Sequence, residues 1–100
     1  MHEWGFLTNP GLVLVYIAKH SESTARQIAT AINITEWTVH KIVGELEKQG
    51  YIDKRRVGRK NSYRIHANLK LKHETLRDIN VGDLLEALGW EGKRRGRQRS

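Results

Sequence analysis

The residues that could do acid–base, nucleophilic or metal chemistry are scattered along this chain. No two histidines lie within four residues of each other, and Glu36, Glu45 and Glu47 share one predicted helix rather than facing each other across a cleft. No glycine-rich loop has the spacing of a phosphate-binding motif. We therefore expect neither catalysis nor a metal or cofactor site. The histidines are His2, His20, His40, His66 and His73.

A second set of residues suits recognition of an extended polar partner. Its members recur on one face of a predicted helix that begins at Thr35, and they combine hydrogen-bonding groups, one cation and one large aromatic ring. His40 can donate a hydrogen bond, although a single exposed histidine can equally be inert. The set consists of Thr35, Glu36, Trp37, His40 and Lys41.

The element that must position this face is a helix-turn-helix spanning residues 25–46, ARQIATAINITEWTVHKIVGEL. Ala29 is small enough for close approach of two helices, and Asn33 tolerates the left-handed conformation of a tight turn. Thr35 can cap the second helix with its hydroxyl. A buried stripe at helical spacing follows, comprising Val39, Ile42, Val43 and Leu46. An ordinary amphipathic helical hairpin is the alternative interpretation; a helix-turn-helix points to nucleic acid, with the second helix in the major groove.

Two residues of this face have two interpretations each. Trp37 either packs against a thymine methyl or a sugar in the groove, or folds back over the first helix of the pair near Ile34. Glu36 either accepts from a cytosine amino group or only stabilises the positive end of its helix.

A β-hairpin is predicted after Gly50, which suits the end of the second helix. The runs YIDKRRV and SYRIH are rich in β-branched and aromatic residues, and residues 58–61 supply the turn. Helix, turn, helix and ribbon is the order of a winged helix, so the ribbon is expected to act as the wing. We expect Arg55, Arg56, Arg59, Lys60 and Asn61 to contact a nucleic acid there.

The distribution of charge supports a polyanionic partner, although a basic run is more often plain surface. The net charge is +7, but the last ten residues contain five bases and one acid, which leaves +3 for the first ninety. Against the single acid Asp53, the ribbon carries six bases: Lys54, Arg55, Arg56, Arg59, Lys60 and Arg64. We expect this ribbon and the helix from Thr35 to form one continuous surface for phosphate contacts.

The rest of the chain is expected to complete one domain over residues 1–89, followed by a basic, disordered tail over residues 90–100 that adds phosphate contacts. Asn9 can cap a first apolar helix with Pro10 at its first position, and Ser23 or Thr24 can cap the next helix. Residues 21–24 are expected to be extended and could form a further strand. Residues 81–88 are expected to form a last helix.

That last helix follows an already complete winged-helix core, so its apolar face is expected to pair with the same helix of a second subunit. Three large apolar residues near the N-terminus either cover the domain's own core or join that interface. The expected homodimer interface comprises Trp4, Phe6, Leu7, Leu84, Leu85 and Leu88.

Cysteine is absent and no apolar run approaches the roughly 20 residues that span a bilayer. The sequence also lacks the order of a signal peptide. These features favour a soluble, cytoplasmic protein without a membrane partner.

Several segments together resemble the short MarR/ArsR-like winged-helix transcriptional regulators of bacteria and archaea. They are TNPGLVLVYIAKH, RQIATAINITEWTVHKIVGELEKQGYI, RRVGRKNSYRIH and VGDLLEALG, and the most specific part runs from Ile34 to Arg59. Trp37 is bulkier than the residue such helices often have, and Asn33 replaces a more usual glycine. The cysteine metal sites of the metal-sensing branch are absent, and no effector is identified.

The resemblance implies a mainly α fold with a small β-hairpin, that is, a three-helix core with a wing and an additional C-terminal helix. It implies a homodimer on palindromic double-stranded DNA, with Thr35, Glu36, Trp37, His40 and Lys41 facing bases or phosphates and Arg56, Arg59 and Lys60 in the wing. A winged helix that serves as a protein- or RNA-interaction module is the alternative, because the same fold supports both roles.

Overall fold

The computed structural model describes residues 7–91, and it has the mainly α architecture with a β-hairpin that the sequence predicts. Three helices come first: α1 (Asn9–Lys19), α2 (Ala25–Ile32) and α3 (Glu36–Lys48). The strands β1 (Ile52–Val57) and β2 (Lys60–Ile65) follow as an antiparallel pair. A 3₁₀ turn (Glu74–Leu76) and α4 (Val81–Ala87) complete the described chain.

The first helix starts one residue earlier than predicted. The Thr8 hydroxyl, not Asn9, caps α1 and accepts a 3.4 Å hydrogen bond from the Gly11 amide. Asn9 and Pro10 thus occupy the first turn, where a missing proline N–H costs no helical hydrogen bond. The predicted cap residue was wrong because either side chain can accept this bond.

The helix-turn-helix is built from local signals that the sequence predicts correctly. At the start of α2, the Thr24 hydroxyl accepts from the Gln27 amide at 3.0 Å, and the Gln27 side chain accepts from the Thr24 amide at 2.8 Å. This capping box satisfies two first-turn donors reciprocally. Asn33 ends α2 in the left-handed region at φ 68°, with its amide donating to the Ala29 carbonyl at 2.8 Å.

Residues 21–24 do not form the further strand that the sequence allowed. Within the described chain the sheet consists of β1 and β2, and residues 21–24 contribute a single hydrogen bond to it, from the Tyr63 amide to the Ser21 carbonyl at 2.8 Å. The buried Ser23 hydroxyl instead donates to the His20 carbonyl at 2.8 Å. This bond holds the segment as a tight connection between α1 and α2.

The core lies between the three helices and the base of the hairpin. Ala29 is buried where α2 approaches α3, as predicted, and the α3 stripe of Val39, Ile42, Val43 and Leu46 faces the same core. Side chains from the other elements fill the remaining space. They are Val13, Leu14, Ile17, Ile28, Ile52, Tyr63, Val81 and Leu85.

The C-terminal helix packs on its own chain, so the expectation that the core closes before this segment was wrong. The amides of Val81 and Gly82 donate to the carbonyls of Leu69 and Ala67 at 2.8 and 2.9 Å, which anchors the start of α4 beside the hairpin exit. Val81 and Leu85 then enter the core. Leu85, expected at a dimer interface, is only 1% exposed, and its side chain cannot contact a second subunit in this arrangement.

The remaining expected interface and tail residues fall into two groups. Leu7 and Leu88 are partly buried, and Leu84 is 37% exposed. Trp4, Phe6 and the basic tail from residue 92 lie outside the described residues. Trp90 packs against the core, so ordered packing continues one residue past the predicted domain end at Gly89.

Candidate nucleic-acid interface

The outward face of α3 carries four of the five residues that the sequence assigned to recognition, and the fifth, Thr35, caps the helix. All five are exposed, and the four on α3 lie opposite the buried stripe of that helix. The placement follows from the helical period: apolar residues at positions 39, 42, 43 and 46 leave positions 36, 37, 40, 41 and 44 turned outward. The helix therefore presents one polar and aromatic face to solvent.

Thr35 has a structural task within this face. Its hydroxyl accepts a 3.1 Å hydrogen bond from the Thr38 amide and shares a second, 2.8 Å hydrogen bond with the Thr38 hydroxyl. The predicted cap of α3 is thus confirmed. Glu36 begins the first turn, where the partial positive charge of the amides favours a carboxylate.

Trp37 does not fold back over α2, so that interpretation was wrong. Its side chain is 68% exposed, the highest exposed fraction among the large hydrophobic residues that the structure describes. The ammonium of Lys41, one helical turn later, lies 4.8 Å from the centre of the Trp37 ring. A cation over the electron-rich face of an indole is attracted to it, which favours this placement of the two side chains on the helix surface.

The hairpin emerges directly from the end of α3. Gly50 adopts φ 88°, a conformation that favours glycine, and the Tyr51 amide donates to the Leu46 carbonyl at 3.0 Å. Ile52 then enters the core at the first position of β1. The wing therefore follows the C-terminal end of the candidate recognition helix through a short connection that is hydrogen-bonded to the helix and anchored in the core by Ile52.

The tip of the wing is a two-residue turn, shorter than the four-residue turn that the sequence predicts. Val57 pairs with Lys60, so Gly58 and Arg59 alone connect the strands. Gly58 has φ 62° at the first central position, as a type II′ turn requires, and this turn type matches the twist of a hairpin. Arg59 consequently lies at the extreme end of the wing.

Strand register divides the wing's polar residues between two faces. Arg56 is paired with Asn61 and Val57 with Lys60, and paired residues share a face, whereas neighbours along a strand alternate. Arg56 and Asn61 therefore lie on the face that includes Ile52 and Tyr63, and Arg55 and Lys60 lie on the other. A partner that binds one flat face of the wing contacts only one of these two pairs of residues. A groove that receives the tip of the wing contacts both pairs.

Two of the five predicted wing residues are engaged within the hairpin. The Arg56 side chain donates from Nε to the Gly58 carbonyl at 3.2 Å, and the Asn61 amide donates to the Tyr63 hydroxyl at 3.3 Å. Within residues 7–91, the side chains of Arg55, Arg59 and Lys60 make no hydrogen bond or ion pair and are exposed. Among the five predicted wing residues, these three cations are the ones available to phosphate.

Sequence reasoning missed the groups that secure the base of the wing. His66 Nε2 lies 3.0 Å from Asp53 Oδ1, and the His66 amide donates to the Tyr51 carbonyl at 2.9 Å. Asp53, the single acid among the six bases of the wing, is therefore paired with His66. Only the strand register, which brings residues 53 and 66 together, could have indicated this pair.

Among the titratable groups of residues 7–91, Tyr63 is the one whose environment is most clearly altered. Burial raises the pKa of its hydroxyl above the ordinary value of 10.0; the hydrogen bond from Asn61 opposes this effect, and the charge of Glu47 adds to it. Tyr63 is only 6% exposed, and its ring is part of the core. The ring therefore connects the core to the face of the wing that rests on the domain. We assign Tyr63 to positioning of the wing.

Two further observations concern other classes of site. In the described part of the chain, no group of three or more histidine and acidic side chains is arranged to hold a metal ion. Among the same residues, no helix has both the length and the apolar character needed to cross a membrane.

These features together define a winged helix-turn-helix protein. The MarR family model matches residues 4–60, more than half of the chain, and the chain therefore belongs to the MarR family. The family and the fold are those of transcriptional regulators. No curated protein matches the chain.

The solved structures that share this fold include the following two. One is the homodimeric winged helix-turn-helix DNA-binding domain of Mb0332 from Mycobacterium bovis, a possible ArsR-family transcriptional regulator. It is 24% identical over 80% of this chain and 63% of that chain, with a TM-score of 0.55. The other is a mutant of ZitR from Lactococcus lactis, 18% identical over 99% of this chain and 62% of that one, with a TM-score of 0.57. The chain thus spans less than two thirds of either structure.

Proposed function

We propose that this chain is a sequence-specific DNA-binding transcriptional regulator, with α3 in the major groove and the wing on the backbone or in the minor groove. The observation that carries the proposal is the outward face of α3, where Trp37, His40 and Lys41 are exposed together on a helix whose other side is buried. A helix in the major groove reads base edges with residues of its first turns. Membership of the MarR family supports the same role.

Affinity in this proposal comes mainly from the wing. Arg59 at the tip and Arg55 and Lys60 on the outer face are free to bind phosphate oxygens, and such contacts are independent of base sequence. Specificity would come from α3, because its exposed face combines hydrogen-bonding and apolar groups that can meet base edges in the major groove.

We also propose that the protein acts in the cytoplasm as a homodimer, with recognition helices separated by about one turn of DNA, roughly 34 Å. Exposed Leu84 and partly buried Leu88 are the described residues that support the interface at α4. The Mb0332 domain, which has the same fold and is homodimeric, supports such an assembly.

Selection of bound sequences from a random DNA pool tests the proposal. We expect a single enriched site with two inverted halves, and duplex binding that weakens steeply as salt rises. Structured RNA measured across the same salt series is the control. Binding to RNA alone, or no salt-dependent duplex binding even at low salt, would replace the proposal with an interaction module for RNA or protein.

A further inference from the structure

Trp37 is the largest exposed apolar group on the candidate recognition helix. It lies in the first turn of α3, directly after Glu36, and the end of a recognition helix that reaches deepest toward base edges is its N-terminal end. An exposed fraction of 68% leaves most of the indole without protein contacts. An aromatic ring at this place therefore has its surface free for a partner.

Lys41 prevents the ring from lying in an arbitrary orientation. Its ammonium, 4.8 Å from the ring centre, covers one face of the indole and leaves the remaining surface of the side chain to solvent. The pair combines an apolar surface with a cation one helical turn away. The partner that fits such a pair is apolar at one point and negative nearby.

The major groove contains one kind of apolar group at base edges, the C5 methyl of thymine. The other base-edge groups are hydrogen-bond donors and acceptors, and an indole has a single donor, Nε1–H, to satisfy them. We infer that Trp37 reads thymine by packing its ring against that methyl group, while Lys41 binds a neighbouring phosphate or acceptor. This inference rests on the proposed function and specifies which base that function selects.

The decisive experiment changes the DNA and leaves the protein intact. In the duplex selected from the random pool, each thymine is replaced in turn by deoxyuridine, which removes only the methyl group. We expect the wild-type protein to lose about fourfold in affinity at one thymine of each half-site, the loss that corresponds to about 0.8 kcal/mol for one buried methyl-sized group. At the other thymines the affinity should be unchanged.

Variants then assign the effect to Trp37. Trp37→Ala should bind the thymine and deoxyuridine duplexes equally well, and Trp37→Phe should retain part of the difference. Leu76→Ala, which truncates another exposed apolar side chain at the 3₁₀ turn (40% exposed), should retain the whole difference. Circular dichroism verifies that each variant is folded.

The possible outcomes separate this inference from the proposed function. Salt-sensitive binding to the selected duplex with no deoxyuridine effect, or with the effect undiminished in Trp37→Ala, would overturn the inference while the proposed function stands. Salt-sensitive binding with no enriched sequence would overturn both the inference and the sequence-specific function. Absence of any duplex binding would overturn both the inference and the proposed function.

Discussion

The side-chain amide of Asn61 donates a 3.3 Å hydrogen bond to the hydroxyl of Tyr63, two residues further along the same strand. Because residues two apart share one face of a strand, the bond runs along the side of the wing that rests on the domain. It connects the exposed half of the wing, where Asn61 pairs with Arg56, to a ring that belongs to the core. The hydroxyl of a buried tyrosine thus links the exposed half of the wing to the core.

The Tyr63→Phe variant tests how much the Tyr63 hydroxyl stabilises the fold and how that stabilisation changes with pH. Below about pH 10 the variant lacks only the hydrogen bond, and we expect it to unfold more easily by about 1 kcal/mol. The folded-state pKa of Tyr63 is raised, so above pH 10 the unfolded chain ionises first and the wild-type protein loses stability as pH rises. The wild-type advantage should therefore shrink between pH 10 and the higher folded-state pKa.

Urea unfolding of both proteins from pH 7 to pH 11 measures this difference. The values below pH 9 serve as the internal reference, since the Tyr63 hydroxyl is protonated there in both folded and unfolded chains. A stability difference that stays constant up to pH 11 would contradict the raised pKa.

Two substitutions of Thr35 distinguish its structural role as the cap of α3 from a role in DNA recognition. Thr35→Ala removes the cap of α3 and should lower the free energy of unfolding by about 1 kcal/mol, whereas Thr35→Ser keeps the hydroxyl and most of that stability. If Thr35 acts only as a cap, DNA affinity of the folded Ser variant equals that of the wild type. A specific loss of affinity in Thr35→Ser would show that the threonine methyl contacts DNA.

The features predicted correctly from the sequence are those whose cause lies within a few residues. Asn33 in the left-handed region, Thr24 and Thr35 as caps, and Gly50 after α3 each follow from the chemistry of one side chain and its near neighbours. The buried stripe of α3 follows from the helical period in the same way.

The features that were missed depend on contacts between distant parts of the chain. The burial of Leu85 requires knowing that α4 returns to the hairpin exit, because its apolar residues would fit a partner subunit equally well. The pairing of Asp53 with His66 and the placement of Arg56, rather than Arg55, on the face that rests on the domain depend on a strand register that a one-residue slip would change. The placement of α3 and the wing on one duplex stays a prediction.

Lys41 and Arg59 test that placement through salt dependence. Each substitution to Ala should weaken duplex binding. Each should also make the negative slope of log affinity against log salt shallower by about one, because it removes one phosphate contact. Arg77→Ala is a matched control, since Arg77 is an exposed cation beside the 3₁₀ turn and outside the proposed interface. Should either Lys41→Ala or Arg59→Ala keep the wild-type slope, that residue does not neutralise a phosphate.

Leu84 and Leu85 are adjacent, but substitution of Leu84 should affect dimerisation, whereas substitution of Leu85 should affect the stability of the fold. Leu84 is 37% exposed, so Leu84→Lys should leave the fold intact and weaken the proposed dimer, which sedimentation velocity measures over a dilution series. Leu85 is 1% exposed, so Leu85→Ala should create a cavity in the core and lower the free energy of unfolding by about 2 to 5 kcal/mol. Leu76→Lys, at a similarly exposed leucine outside the proposed interface, is the control. An undisturbed dimer in Leu84→Lys, or equal dissociation in Leu76→Lys, would place the interface elsewhere than on α4.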